Sequence, residues 1–161
     1  MRQTLSDRPE VKQFTTFLDT LLAQRREELA FIVLFGSMAR GDWSRGSDYD
    51  VLIGLCGEDG KRLLDRMAEF TPSASVRIAI DVFPYSCSEW QRMFQDYHPL
   101  LLEALEYGVV LWDRGAFAEM RTIFRQWRQH SHVRPWRSGW KIATPAPQTD
   151  PTGVNPPHHA R

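Results

Sequence analysis

Asp48 and Asp50 stand two residues apart at the entrance to an apolar run, Val51-Leu52-Ile53-Gly54-Leu55. Alternate residues of a strand project to the same side. The spacing therefore predicts two carboxylates facing one way, repelling each other unless a cation lies between them. Upstream, a second apolar run, Ala30-Phe31-Ile32-Val33-Leu34-Phe35, ends at Gly36-Ser37. The chain then passes through Arg40-Gly41 and a short polar excursion before reaching Ser47 and the aspartates. Gly36, lacking a Cβ, lets backbone approach a ligand closely. Ser37 offers a hydroxyl and an amide at the predicted start of a short helix, Ser37 to Gly41, where free N–H groups suit phosphate oxygens. Arg40 adds a planar cation to the same turn. A phosphate-holding turn beside paired carboxylates that can hold Mg²⁺ is the minimum equipment for handling a nucleoside triphosphate. Gly-Ser by itself fits an ordinary strand–turn–helix. The joint pattern of Gly36, Ser37, Arg40, Gly41, Asp48 and Asp50 is far more specific, with a chance occurrence on the order of 10⁻⁷ per register at average residue frequencies.

The stretch resembles the signature of the DNA polymerase β-like nucleotidyltransferase superfamily, G-S-x-A-R-G, a spacer, then S-D-x-D. Gly36, Ser37, Ala39, Arg40, Gly41, Ser47, Asp48 and Asp50 all match it. The resemblance implies a third carboxylate on a neighbouring strand, and Val76-Arg77-Ile78-Ala79-Ile80-Asp81-Val82-Phe83 is the segment that offers one. Its period-2 pattern puts Ile78, Ile80 and Val82 on one face and Arg77, Ala79 and Asp81 on the other. In the strand after Asp50, Val51, Ile53 and Leu55 form the apolar face. If both apolar sets meet the same layer, Asp81 emerges beside Asp48 and Asp50. The resemblance implies that these three are the catalytic residues and the ligands of two Mg²⁺ ions, with ATP as substrate. It assigns Gly36, Ser37, Arg40 and Ser47 to nucleotide binding. Arg40 either meets charge developing on the leaving pyrophosphate or fixes the loop; both readings stay open.

The elements that must position these residues follow from hydrophobic period and end signals. The fold class expected is α/β (α+β), a small mixed β-sheet with helices mainly on one face. Asp7-Arg8-Pro9-Glu10 reads as a capping box opening a helix that carries Val11, Phe14, Leu18, Leu21 and Leu22 and ends near Glu28. Glu58 to Phe70 reads as a second helix. Ser86 and Glu89 form another capping-box pattern, ahead of Trp90, Met93 and Phe94. Pro99 to Tyr107 is a short apolar helix stopped by Gly108. Val109 to Trp112 is a fourth strand, and Asp113-Arg114-Gly115 turns into a last helix with Phe117, Met120, Phe124 and Trp127 on one face. From about Ser131 prolines at 135, 145, 147, 151, 156 and 157 oppose helix and internal strand. The division expected is a nucleotidyltransferase domain over 1–130 and a Pro-rich tail over 131–161, extended at first and disordered over its last dozen or so residues.

At 161 residues, with 20 basic and 20 acidic side chains, the chain has one core and no net field to recruit nucleic acid. Cys56 and Cys87 show no ligand spacing and read as reduced thiols of a cytoplasmic protein. No segment is long and apolar enough to span a bilayer. Two features remain. Between Met120 and Thr149 there is no acidic residue, while Arg121, Arg125, Arg128, Arg134, Arg137 and Lys141 are present, with Trp136 and Trp140 interleaved. That pattern fits docking of an acidic protein, a nucleotide base or RNA. It fits equally a solvated helix face plus a tail that returns its tryptophans to the domain. His98, His130, His132, His158 and His159 lack metal-site spacing, and His98 before Pro99 reads as a turn residue.

The stretch from His98 to Asp113 is similar to the "P-L-x-x-E-A-x-x-x-G-x-x-L-x-D" region of the minimal nucleotidyltransferases, and the chain is short beside polymerase-like relatives with added domains. That resemblance implies a partner, a helical HEPN-domain RNase toxin, neutralised by transfer of AMP from ATP onto one of its tyrosines. The chain would then be an antitoxin and a protein adenylyltransferase. Two alternatives stand: a small-molecule, aminoglycoside-type nucleotidyltransferase, and a noncatalytic module that masks its partner by contact. Homo- or hetero-oligomeric assembly is left open.

Overall fold

The computed structural model describes residues 5–73 and 76–144. Its sheet is built around β1 (Leu29–Phe35), in which every residue is buried. A strand covered on both faces reads as a continuous apolar run rather than an alternating one, as Leu29 to Phe35 does. β2 (Tyr49–Leu55) lies antiparallel to β1, β3 (Ile80–Tyr85) lies parallel to β2, and β4 (Val109–Asp113) lies antiparallel on the other side of β1. The order is β3-β2-β1-β4. This is the mixed sheet of the expected fold class.

The helical cover is less one-sided than the sequence suggested. One face, carrying Ile32, Leu34, Val51, Ile53 and Val82, receives Phe14, Phe17 and Leu21 of α1 (Val11–Arg25). After α2 (Gly36–Arg40) and β2, α3 (Leu63–Phe70) adds Phe70 to that same core. The opposite face, carrying Phe31, Val33, Phe35 and Leu52, receives α4 (Cys87–Gln95), α5 (Pro99–Tyr107) and α6 (Ala116–Gln129) through Trp90, Leu101, Leu105, Phe117 and Phe124. Period-2 alternation in β2 sends Val51 and Ile53 to the first core and Leu52 to the second.

Several boundaries move. The strand expected from Val76 begins only at Ile80, although Val76 and Ile78 still rest on the first core. The helix expected from Glu58 begins at Leu63. The capping box read at Asp7 and Glu10 does not form: Asp7 ends a 3₁₀ turn, and Glu10 precedes α1 with φ 56° and no side-chain cap. The box at Ser86 and Glu89 forms in full. His98 is the N-cap of α5, accepting the amide of Leu100 at 3.3 Å. Gly108 ends α5 for a different reason from the one expected. Its φ is −61°, and a Cβ there would stand 2.2 Å from the Ala104 carbonyl oxygen and 2.6 Å from Val33 Cγ1.

Beyond α6 the chain folds into an antiparallel hairpin, β5 (Val133–Trp136) and β6 (Gly139–Ile142). Val133 is fully buried, and Trp140 meets Phe124 edge-on at 5.8 Å. Pro135 is tolerated because a two-stranded ribbon consists only of edges. Alternation of Val133, Trp140 and Ile142 against outward cations is the signal that the proline count obscured. The expected disorder of the final residues falls outside the described residues. Among the described residues no helix is long and apolar enough to cross a membrane.

Candidate active site

β1 delivers the chain to Gly36 at the point where Phe35 is paired with Asp50. Gly36 has φ +70°, and a Cβ placed on it would stand 2.3 Å from Asp50 Oδ2. Backbone thus passes directly against this carboxylate, and only glycine allows both the dihedral and the approach. α2 follows, with Ser37 half-buried in its first turn and Met38 and Ala39 buried beneath it. Gly41, at φ 89°, closes the helix by donating its N–H to the Ser37 carbonyl at 3.0 Å.

The segment before α1 anchors this assembly from behind. Arg8 Nε donates to the Met38 carbonyl at 2.6 Å, and the Tyr49 hydroxyl donates to the Pro9 carbonyl at 2.6 Å. The Tyr49 ring stacks on Phe14 at 4.2 Å. Tyr49 therefore turns into the core between the two aspartates, and Asp50, next along β2, belongs to the opposite face.

Asp81 lies where the period-2 argument put it. It is the direct register partner of Asp50 across the parallel β2–β3 pair, and register partners share a face of the sheet. Asp48 and Asp81 are exposed, whereas Asp50 is half-buried. Burial, reinforced by the charges of Asp81 and Asp48 and offset by Arg40, pushes the Asp50 carboxyl up from 3.8 to about 6. Three acidic groups thus act on one point, and the half-buried one carries the strain of their repulsion.

Arg40 and Ser47 are tied to the protein. Arg40 Nε pairs with Asp42 at 3.2 Å, and its Nη1 pairs with Glu103 of α5. Of the two readings of Arg40, this geometry favours fixing the loop, and its charge reaches Asp50 from there. Glu103 was not among the candidate residues; the signal for it was the glutamate of the P-L-x-x-E-A stretch. Ser47 closes a turn: its hydroxyl accepts the Ser44 amide at 2.9 Å and its own amide donates to the Ser44 carbonyl at 3.0 Å.

No group of three or more His, Cys, Asp or Glu side chains among the described residues closes into a metal cage by itself. Mg²⁺ seldom needs one: it keeps several waters and is commonly held by one or two carboxylates together with substrate phosphates. The donor set here is all hard oxygen. Asp50 is disfavoured in its ionised form without a cation, and the missing Cβ of Gly36 is what lets that carboxylate lie against the turn. These residues fit a divalent cation shared with a phosphate chain. A groove of about 390 Å³ between α1 and residues 69–73 and 76, and another of about 410 Å³ between α5 and α6, are lined by none of the site residues.

Comparison with known proteins follows the same line. The model of the nucleotidyltransferase domain family matches residues 15–97, just over half of the chain's 161 residues, and includes every site residue from Gly36 to Asp81. No curated protein matches significantly in sequence. Among solved structures, a toxin–antitoxin complex with AMP-PNP is 18% identical, with a TM-score of 0.48 over 73% of this chain and 88% of that one. A MntA–HepT toxin–antitoxin structure is 14% identical, with a TM-score of 0.45 over 77% of this chain and 90% of that one. Likeness at that level carries neither substrate nor partner across. The family match, spanning the glycine turn and all three aspartates, is sufficient by itself: the chain belongs to the nucleotidyltransferase domain family and is a nucleotidyltransferase.

Proposed function

We propose that the chain transfers AMP from ATP to a tyrosine hydroxyl of a HEPN-domain RNase partner, and in doing so acts as an antitoxin in the cytoplasm. The observation that carries the chemistry is the register of Asp50 with Asp81, with Gly36 backbone set against the Asp50 carboxylate. The phosphate chain would lie against the Asp50 carboxylate that the Gly36 turn positions, with Ser37, next in sequence, to orient it. Asp48, Asp50 and Asp81 are the residues that would hold Mg²⁺. When bound, Mg²⁺ neutralises phosphate charge and lowers the pKa of the attacking hydroxyl. The acceptor oxygen bonds to the α-phosphorus, the bond to the β-phosphate oxygen breaks, pyrophosphate leaves and the hydroxyl proton passes to water. The chain's contribution is alignment and charge, as in phosphoryl transfer generally. Residues 1–130 carry this chemistry, and 131–161 are peripheral to it.

Two observations support a protein acceptor. Asp48 and Asp81 are exposed beside half-buried Asp50, a ledge that a partner's side chain can reach. The stretch His98 to Asp113, which resembles the minimal nucleotidyltransferases, supplies Glu103, the tie that holds Arg40. The test is incubation of the chain with Mg²⁺, ATP labelled on its α-phosphate, and a HEPN-domain protein that co-purifies with it. Label on a partner tyrosine is expected. An unlabelled partner beside a properly folded enzyme would remove the acceptor assignment. Pyrophosphate release stimulated by a small hydroxylated compound instead would favour the aminoglycoside-type reading.

A further inference from the structure

The basic, tryptophan-containing segment divides into two parts once its contacts are known. Two of the three helix cations hold the fold together. Arg121 donates to the carbonyls of Ala104, Leu105 and Gly108 at 3.2, 3.1 and 2.7 Å, closing the C-terminal end of α5. Arg128 pairs with Glu106 at 3.0 Å. The hairpin cations differ. Arg134, Arg137 and Lys141 are exposed and pair with no carboxylate among the described residues; they gather around Trp136. Arg134 Cζ lies 5.4 Å, Arg137 Cζ 6.0 Å and Lys141 Nζ 5.0 Å from the indole centroid. Trp136 itself is 48% exposed.

One pairing in this arrangement opposes folding. Arg134 sits directly across from Lys141 in the β5–β6 register, and like charges in that relation repel. Hairpin folding does not require it, because the inward residues Val133, Trp140 and Ile142 make the contact with the core. A planar, half-exposed aromatic with cations over its ring and no carboxylate beside them among the described residues is complementary to one chemistry: flat bases joined by phosphates. An acidic peptide would satisfy the cations and leave the indole without a partner of its own shape.

We infer that the outward face of the β5–β6 hairpin is a docking surface for single-stranded RNA, with a base stacking on Trp136 and phosphates meeting Arg134, Arg137 and Lys141. The surface shares no residue with the carboxylate site, so its test needs neither nucleotide nor partner protein. The full chain is titrated, without ATP or Mg²⁺, into a fluorescently labelled oligouridylate of about fifteen nucleotides, and anisotropy is read at several salt concentrations. The expected logarithmic salt slope is about −2, near −0.7 for each of three neutralised phosphates. Trp136→Ala should weaken binding roughly ten-fold, Trp136→Phe much less, and Arg134→Glu with Lys141→Glu should abolish it. All these positions are exposed, so the melting temperature and transferase activity of the variants should match the parent. Equal affinity in parent and variants, a complementary duplex bound as tightly as the single strand, or a polyglutamate peptide or anionic vesicle bound in preference to RNA would each overturn the inference.

Discussion

The two ends of the parallel β2–β3 pair treat charge in opposite ways. At the beginning of the strands Asp50 and Asp81 stand side by side with Asp48 near them, like charges that Arg40 offsets in part at Asp50. At the far end Arg66, 1% exposed, is surrounded by acceptors. It binds Glu89 with both Nη atoms at 2.7 and 2.8 Å, the carbonyls of Pro84 and Lys61 at 2.5 and 2.9 Å, and Asp59 at 3.2 Å. Glu89 also accepts the Ser86 amide at 2.8 Å, completing the cap of α4. Burying a charge is tolerable when it is paired and hydrogen-bonded, and costly otherwise. The far end obeys that rule at both Nη atoms, while Arg66 Nε has an ion-pair contact with Asp59 but no hydrogen bond. The near end breaks it, and the imbalance marks where a cation belongs.

The sharpest way to break this contrast is to remove the near-end charge. Asp48→Asn with Asp50→Asn should lower pyrophosphate release about a thousand-fold or more, as expected when metal-centred charge stabilisation is lost. The same double variant separates catalysis from masking, since antitoxic activity that survives it would support the noncatalytic module. Gly36→Ala should come next. Its Cβ would invade the space of Asp50 Oδ2 at a left-handed dihedral, and displacement of that carboxylate by about 1 Å should cost on the order of a hundred-fold in kcat. A steady-state assay on folded protein checks both.

Stability measurements should show the opposite ordering. Glu89→Ala leaves Arg66 buried without its main partner and should cost about 3 kcal/mol in urea unfolding, with little change in activity per folded molecule. Arg66 holds the Glu89 carboxyl below its ordinary value. That contribution is full above the unfolded value of 4.5 and is lost as pH falls through the lowered folded value. Asp50 runs the other way. Its folded value, raised by burial and then by Asp81 and Asp48 from 3.8 to about 6, makes ionisation a penalty that is absent below the lower value and complete above the upper one. Asp50→Asn should therefore stabilise the metal-free protein by about 1–2 kcal/mol near pH 8, after allowance for solvent screening. The gain should vanish near about pH 4. Smallest of all, Glu103→Gln should alter kcat only a few-fold, because it loosens Arg40 and leaves the carboxylates in place.

What was legible in the sequence followed from period and steric necessity. Alternation around Asp50 and Asp81 gave their shared face, because a strand leaves a side chain only two directions. The pairing of Ser86 with Glu89 could be read from local chemistry, and it formed. Features set by distant partners were not legible. Nothing near Arg40 in sequence pointed to Glu103, and nothing near Gly36 said that its Cβ space would be taken by Asp50. Gly108 shows the same limit: it reads as a helix stop, but its space is restricted by Val33 of β1. The hairpin was hidden by Pro135, whose cost disappears in a ribbon without interior strands.

The most direct test of the central claim is calorimetric titration of Mg²⁺ into the chain and into Asp50→Asn, each with and without a nonhydrolysable ATP analogue. Because the aspartates form no closed cage of their own, tight Mg²⁺ binding should arise in the parent only when the analogue is present, and should be lost in Asp50→Asn. Equal Mg²⁺ affinity in the two proteins with the analogue bound would contradict the account.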